Sequence, residues 1–237
     1  MATETYVSAN KEERYRLNLR GTQAIWSYCE RFGVKQALFA GRHTVYGAAS
    51  DAPLYRQETE PLMAGTTFPT LADLVAADLF AGQALWRSPK LKTAVLRIAY
   101  PLGPLGRGTL ANYLLDSRVP MVMGFDPLFQ FLHTEDAARA IICAVDQKLS
   151  GVFNIAGPSP IPLSSLIKGV NRTPVPIPET ILPYVLGKFG LSRLPRASVA
   201  HLKYPIVIDD TRFRQATGFE HTYEIRQVMG AFKEAIQ

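Results

Sequence analysis

Few residues in this chain are of the kinds that build metal or disulfide scaffolds. Two cysteines, Cys29 and Cys143, and four scattered histidines offer neither a disulfide framework nor the close spacing of a zinc site. No metal centre is expected. Long hydrophobic runs are missing as well: stretches such as Ala140–Val145 fall far short of the roughly 20 residues that span a bilayer. Residues Met1 to Thr5 carry neither the basic nor the apolar region of a secretory signal, so a soluble, cytoplasmic protein is expected. Internal repeats and low-complexity tracts are also lacking.

What is present suits a globular domain. The 237 residues are 47% hydrophobic and 19% charged, enough to bury a substantial core and unlike a disordered chain. Net charge is +6, which would attract anionic partners. The basic residues are dispersed, however, with small groups at Arg14, Arg16 and Arg20 and at Arg193, Arg196 and Lys203. No basic stripe interleaved with aromatics appears, so nucleic-acid binding is not expected.

Apolar periodicity alternates between helix and strand. Leu17, Gly21, Ala24, Ile25, Tyr28, Cys29 and Phe32 recur at helical steps, with Gly33 as the stop. A buried strand is expected over Val34–Ala40 and a loop from Gly41 to about Pro69. A helix follows over Thr70–Trp86, capped by Thr70 with Asp73 completing a capping box. Thr93–Ile98 reads as a second strand and Pro101–Pro104 as a turn. Helices are expected at Thr109–Leu115 and Glu135–Asp146, and a strand at Gly151–Ile155. Such alternation implies a mainly parallel α/β sheet. After Ala156 the prolines multiply. Short helices are expected over Glu179–Gly190 and Ser198–Tyr204, then closing helices over Asp210–Thr217 and Tyr223–Ile236.

Six segments, in order, resemble the extended short-chain dehydrogenase/reductases of the NAD-dependent epimerase/dehydratase group. They are Asn18-x-x-Gly21-Thr22, the run Phe39 to Gly47 ending in Val45-Tyr46-Gly47, and Arg97 followed by Tyr100 to Pro104. Phe131-x-His133-x-x-Asp136, Phe153-Asn154-Ile155, and Asp209 through Thr217-Gly218-Phe219 complete the set. The resemblance implies a Rossmann-like α/β fold, a mainly parallel sheet flanked by helices, truncated at its N-terminal side. Residues 1–156 would form that core, and 157–237 a small C-terminal substrate lobe with closing helices.

Two departures from the family pattern bear on chemistry. The family's Gly-x-x-Gly-x-x-Gly turn, whose helix amides hold a cofactor pyrophosphate, is missing from the start of the chain. NAD or NADP is therefore implied by resemblance only, with Ala40, Tyr100 and Leu102 as contacts if an N-terminal part is present; the chain alone could hold none. The family also uses a Ser or Thr with a Tyr and a Lys one helical turn apart, the Lys lowering the Tyr pKa. Counting along the chain sets Arg42 at the Ser position, Leu74 at the Tyr position and Asp78 at the Lys position. Tyr184-x-x-x-Lys188 has the literal spacing but lies far downstream and reads as coincidence.

Arg42, His43 and Thr44 are thus the candidate catalytic residues. Arg42 could bind a phosphate or carboxylate, and His43 could act as acid or base near neutral pH; both could equally be solvated loop residues. Thr44 could offer a hydroxyl or simply bond within a turn. His133 and Asp136 are expected to cap a helix, and Tyr46 to pack beneath its loop. Asn112, Arg193 and Arg196 are candidate substrate contacts. Three functions stay open: a divergent NAD(P)-dependent epimerase/dehydratase-like protein, a non-catalytic pseudoenzyme, and an RNA- or membrane-associated accessory protein. The expected partners are a small molecule, nucleotide-linked by resemblance, and a second copy or other protein covering an exposed sheet edge.

Overall fold

The computed structural model describes residues 10–189, 191 and 196–236. It opens with helix α1 (Lys11–Tyr15), a π-helical turn (Arg16–Arg20) and α2 (Gly21–Arg31), which Gly33 ends at φ +62°. Strand β1 is Gln36–Arg42, shifted toward the carboxyl side of the expected Val34–Ala40. The following segment is not a plain loop. It holds a 3₁₀ turn (His43–Tyr46), β2 (Tyr55–Arg56) and α3 (Ala64–Thr67). A second 3₁₀ turn (Pro69–Leu71) leads into α4 (Ala72–Arg87) and β3 (Lys92–Ile98).

The expected capping box does not form. Asp73 instead accepts hydrogen bonds from Arg14 Nη2 at 2.9 Å and Asn18 Nδ2 at 2.6 Å, and the Thr70 carbonyl accepts from Arg14. A long-range ion pair has displaced the local cap.

Beyond β3 come β4 (Tyr100–Leu102), where a turn was expected, α5 (Thr109–Leu114), β5 (Arg118–Val122), β6 (Leu128–Phe129) and β7 (Phe131–His133). Helix α6 (Thr134–Asp146) and β8 (Gly151–Ile155) match the sequence expectation. Then follow β9 (Ile161–Pro162), α7 (Leu163–Gly169), β10 (Thr173–Ile177) and α8 (Leu182–Val185). A 3₁₀ helix (Arg196–Leu202), β11 (Val207–Ile208), α9 (Thr211–Thr217) and α10 (Ile225–Ala235) complete the described chain. Among the described residues of the expected Glu179–Gly190 helix, Leu182–Val185 are helical.

The central sheet is parallel, in the order β1-β3-β8. Its strands look continuously apolar in sequence because both faces are covered. On one face Phe39 and Val95 meet Trp26 of α2 and Ala77, Ala81 and Ala84 of α4. On the other, Leu96, Phe153 and Ile155 meet Ala137, Ala140 and Ala144 of α6. Alanines on the inward stripe of each helix let its backbone approach the sheet closely. A second core joins α5, β5, α7 and α10 through residues such as Leu114, Leu163, Leu166 and Phe232. Strands β5 and β10 pair in parallel, and Ile206, Ile208 and Phe213 pack into the sheet core, so contacts link residues on both sides of position 156. Cys29 and Cys143 are free thiols on α2 and α6. Among the described residues no helix is long and apolar enough to cross a membrane.

Candidate functional site

The carboxyl ends of parallel strands are where open α/β sheets place their ligand crevices. Here β1 and β3 run in register until Arg42 stands beside Ile98. The chain then turns sharply through His43–Tyr46 into Gly47 at φ +80°. A Cβ at Gly47 would come within 2.6 Å of Thr67 Oγ1 and 2.8 Å of the Ala64 nitrogen, so glycine alone lets this turn pack against α3. The turn leaves a cavity of about 270 Å³ at the strand ends.

Arg42, His43, Thr44, Ala40 and Tyr100, all singled out from sequence, line that cavity together with Leu74. Arg42 is in extended conformation at the end of β1 rather than in a loop. No hydrogen bond or ion pair with another described residue engages its guanidinium. Burial pushes its pKa down from the ordinary value, and the groups acting on its charge are Tyr100, Arg14 and Asp73. Thr44 Oγ1 is buried without a hydrogen-bond partner, so a bond within the turn does not account for it. Burial also raises the Tyr100 phenol to about 12, which keeps it a neutral donor.

His43 is 1% exposed, so it is not the solvated loop residue that one reading of the sequence allowed. Burial drives its pKa down to about 3, outweighing the opposing effect of the Ile98 carbonyl. That carbonyl lies 3.1 Å from Nδ1, and because it can only accept, Nδ1 carries the proton. The ring stands edge-on to Tyr100 at 4.4 Å. His43 is a neutral wall of the cavity.

Leu74 faces the cavity from α4, but Asp78, one turn later, does not. Asp78 pairs with Arg97 of β3, Oδ1 to Nη2 at 2.8 Å. Arg97 also donates to Tyr46 Oη at 2.9 Å, and that hydroxyl donates to Asn154 Oδ1 at 2.8 Å. Tyr46 is fully buried beneath its turn, as expected. Sequence reasoning missed this Asp78–Arg97–Tyr46–Asn154 chain. The one available signal was a set of polar residues inside otherwise apolar segments.

The remaining candidates lie elsewhere. Leu102 is buried in the second core, and Asn112 is exposed on α5. Arg193 and the Arg196 side chain lie outside the described residues. Tyr184 sits on the four-residue α8 and Lys188 beyond its end, so that pair does not share a helix face. His133 caps α6 through Glu135 N–H, whereas Asp136 turns away to accept from Thr222 and Tyr223 backbone N–H.

The model of the NAD dependent epimerase/dehydratase family matches residues 2–156. The chain belongs to that family. An uncharacterized protein of Mycobacterium tuberculosis is 29% identical over 218 residues, covering 86% of this chain and 55% of that relative. The chain thus spans about half the length of this curated relative. A 3-diazoavenalumate denitrifying reductase of Streptomyces is 25% identical over 217 residues, covering 88% of this chain and 68% of its own. Among solved structures, a dTDP-glucose 4,6-dehydratase from Streptomyces venezuelae with NAD bound superimposes with a TM-score of 0.74. That match is 17% identical and covers 99% of this chain and 71% of the other, a likeness of fold. Family membership agrees with the parallel sheet and with a ligand crevice at its carboxyl edge.

Proposed function

We propose that this family member binds an anionic small molecule at the carboxyl edge of β1 and β3, and that this chain supplies no Tyr-Lys proton transfer. One observation carries the second half. Neither the turn Pro69–Leu71 nor α4 (Ala72–Arg87) contains a tyrosine or a lysine, and the α4 side chain lining the cavity is Leu74. Whichever turn of α4 is taken as equivalent to the family's catalytic helix, no phenol and ammonium stand there. Leucine cannot transfer a proton, and Asp78 is committed to Arg97. The first half rests on the uncommitted Arg42 guanidinium facing the same space.

NAD or NADP is the cofactor the family implies. Ala40 and Tyr100 could border its reacting end, yet Leu102 is buried in another core and no Gly-x-x-Gly-x-x-Gly turn occurs in the 237 residues. These residues do not by themselves fit a whole dinucleotide, so no chemical step is assigned to it. Strand β1 has β3 on one side and no partner strand on the other among the described residues. That free edge supports a homo-oligomer or a protein partner as its cover.

Two measurements test this. Calorimetric titration of the purified chain with small anions should show binding that Arg42→Gln weakens by roughly tenfold or more without lowering the melting temperature. Assays with NADH or NADPH and nucleotide-sugar substrates should show no turnover. A robust NAD(P)H-linked turnover that disappears in Arg42→Ala or His43→Ala would overturn the proposal.

A further inference from the structure

Resting on that reading, we infer that the ligand at Arg42 is a small monocarboxylate with a compact apolar body, such as a single-ring aryl carboxylate, rather than a phosphate or a nucleotide. Charge is the first ground. Arg14 and Asp73 neutralise each other at 2.9 Å, and Asn18 takes a further lone pair of Asp73. Of the three charged groups here, two cations and one anion, Arg42 supplies the single net positive charge. A dianionic phosphate or a diphosphate would carry more negative charge than this single cation matches.

Donor geometry is the second. A guanidinium is a planar fork that matches the two oxygens of a carboxylate. Thr44, whose Oγ1 is buried and unpartnered, lines the same cavity, as does the neutral Tyr100 phenol. An orphaned buried hydroxyl costs free energy unless something bonds to it, so its presence in a cavity wall points to a polar ligand atom. Three donor groups suffice for one carboxylate. His43 gives no additional charge, because its ring is neutral and its proton is directed at Ile98.

The walls are the third. Phe39, Val45, Leu74, Ile98 and Ala99 line the same space, and all are buried hydrophobics. They would desolvate an apolar ring well and a sugar hydroxyl poorly. At about 270 Å³ the space is also smaller than the roughly 300–1,000 Å³ typical of sites for drug-sized ligands. One ring and its carboxylate match that volume.

The test is a set of calorimetric titrations of the intact 237-residue chain with cinnamate, its neutral analogue cinnamide, inorganic phosphate and UDP. Cinnamate should bind, while cinnamide, phosphate and UDP should bind at least roughly tenfold more weakly, the loss expected for one charge-assisted contact. Arg42→Gln should weaken cinnamate by about the same factor, and Thr44→Val by a few-fold. The cinnamate-to-cinnamide comparison uses wild-type protein, so it stands even where a variant misfolds. If phosphate or UDP binds through Arg42 and cinnamate does not, the anion site survives and the carboxylate class is wrong. If no anion binds wild-type protein, both fall. Equal affinity for cinnamate and cinnamide would remove the role given to Arg42.

Discussion

Asp78 and Arg97 form an ion pair in which both side chains are shielded from water, with Asp78 Oδ1 2.8 Å from Arg97 Nη2. The pair bolts α4 to the middle strand of the sheet. Burial alone would lower the Arg97 pKa, but the Asp78 carboxylate and the Tyr46 oxygen raise it above its usual value. Such a pair adds little net stability over an apolar substitute, yet removing one member strands a buried charge. Asp78→Ala should therefore cost about 3–5 kcal/mol, read as a lower urea midpoint. Asp78→Lys should be worse, since it sets two cations together and no lysine there can serve a cavity it does not face. A midpoint near wild type for Asp78→Ala would show that the guanidinium finds other partners.

Tyr46 carries a phenol in the right neighbourhood for catalysis but faces away from the cavity. Its hydroxyl accepts from Arg97 and donates to Asn154, whose amide in turn donates to the Arg56 and Asp209 carbonyls. Tyr46→Phe should lose about 1–3 kcal/mol of stability, the cost of leaving buried polar atoms unpaired. Ligand affinity at Arg42 should stay unchanged. An affinity loss larger than the stability change accounts for would move Tyr46 into the site.

How much of this was legible in the sequence differs by element. Strands β1, β3 and β8 and helix α6 announce themselves because their apolar periods follow from which faces are buried. The β5–β10 pair was not legible: Pro120, Pro174 and Pro176 make both segments look like connections. Proline lacks the N–H a central strand needs, but a two-stranded ladder tolerates it where that N–H would point away from the partner strand. The candidate site was visible as a cluster, since Arg42 ends a strand and His43 and Thr44 follow it directly. Their environments were not visible. His43 is buried by packing against Ile98 and Tyr100, far along the chain, and Asp73 left its helix cap for Arg14, contacts that no local pattern encodes.

Two glycines should respond to alanine in opposite ways. A Cβ at Gly157 would come within 1.9 Å of the Phe131 carbonyl oxygen, and a backbone atom cannot swing aside as a side chain would. Gly157→Ala should cost about 3 kcal/mol or more by forcing β7 away from the end of β8. Gly21 opens α2 with helical dihedrals, and a methyl group there would meet nothing within 4 Å. Gly21→Ala should stabilise by about 0.5–1 kcal/mol through the entropy of the unfolded chain. Thermal melts of the two variants check both signs.

Acid sensitivity follows from two histidines, His43 buried and His201 half-buried. Burial, helped by His201 and Arg42 and opposed by the Ile98 carbonyl, pushes His43 down to about 3, and burial pushes His201 down to about 4. His201 packs against Phe68 with its Nε2 buried and unpartnered, so it gains nothing from accepting a proton in place. In the unfolded chain both rings titrate near about 6.5. Between that pH and the folded values the unfolded state binds more protons, so stability falls as pH drops and is fully recovered above about 7. Each ring contributes a slope on the order of 1.4 kcal/mol per pH unit once well below 6.5. The window from about pH 6 to pH 5 lies above the ordinary carboxylate range, and the Asp78 and Asp210 carboxyls, raised by burial, act against the loss there. Urea unfolding of wild type should lose stability across it, and His201→Phe should lose about half as much, keeping only the His43 contribution. A pH-independent midpoint in wild type would mean that the two rings take up protons in the folded protein, and the dry cavity wall formed by His43 would have to be abandoned.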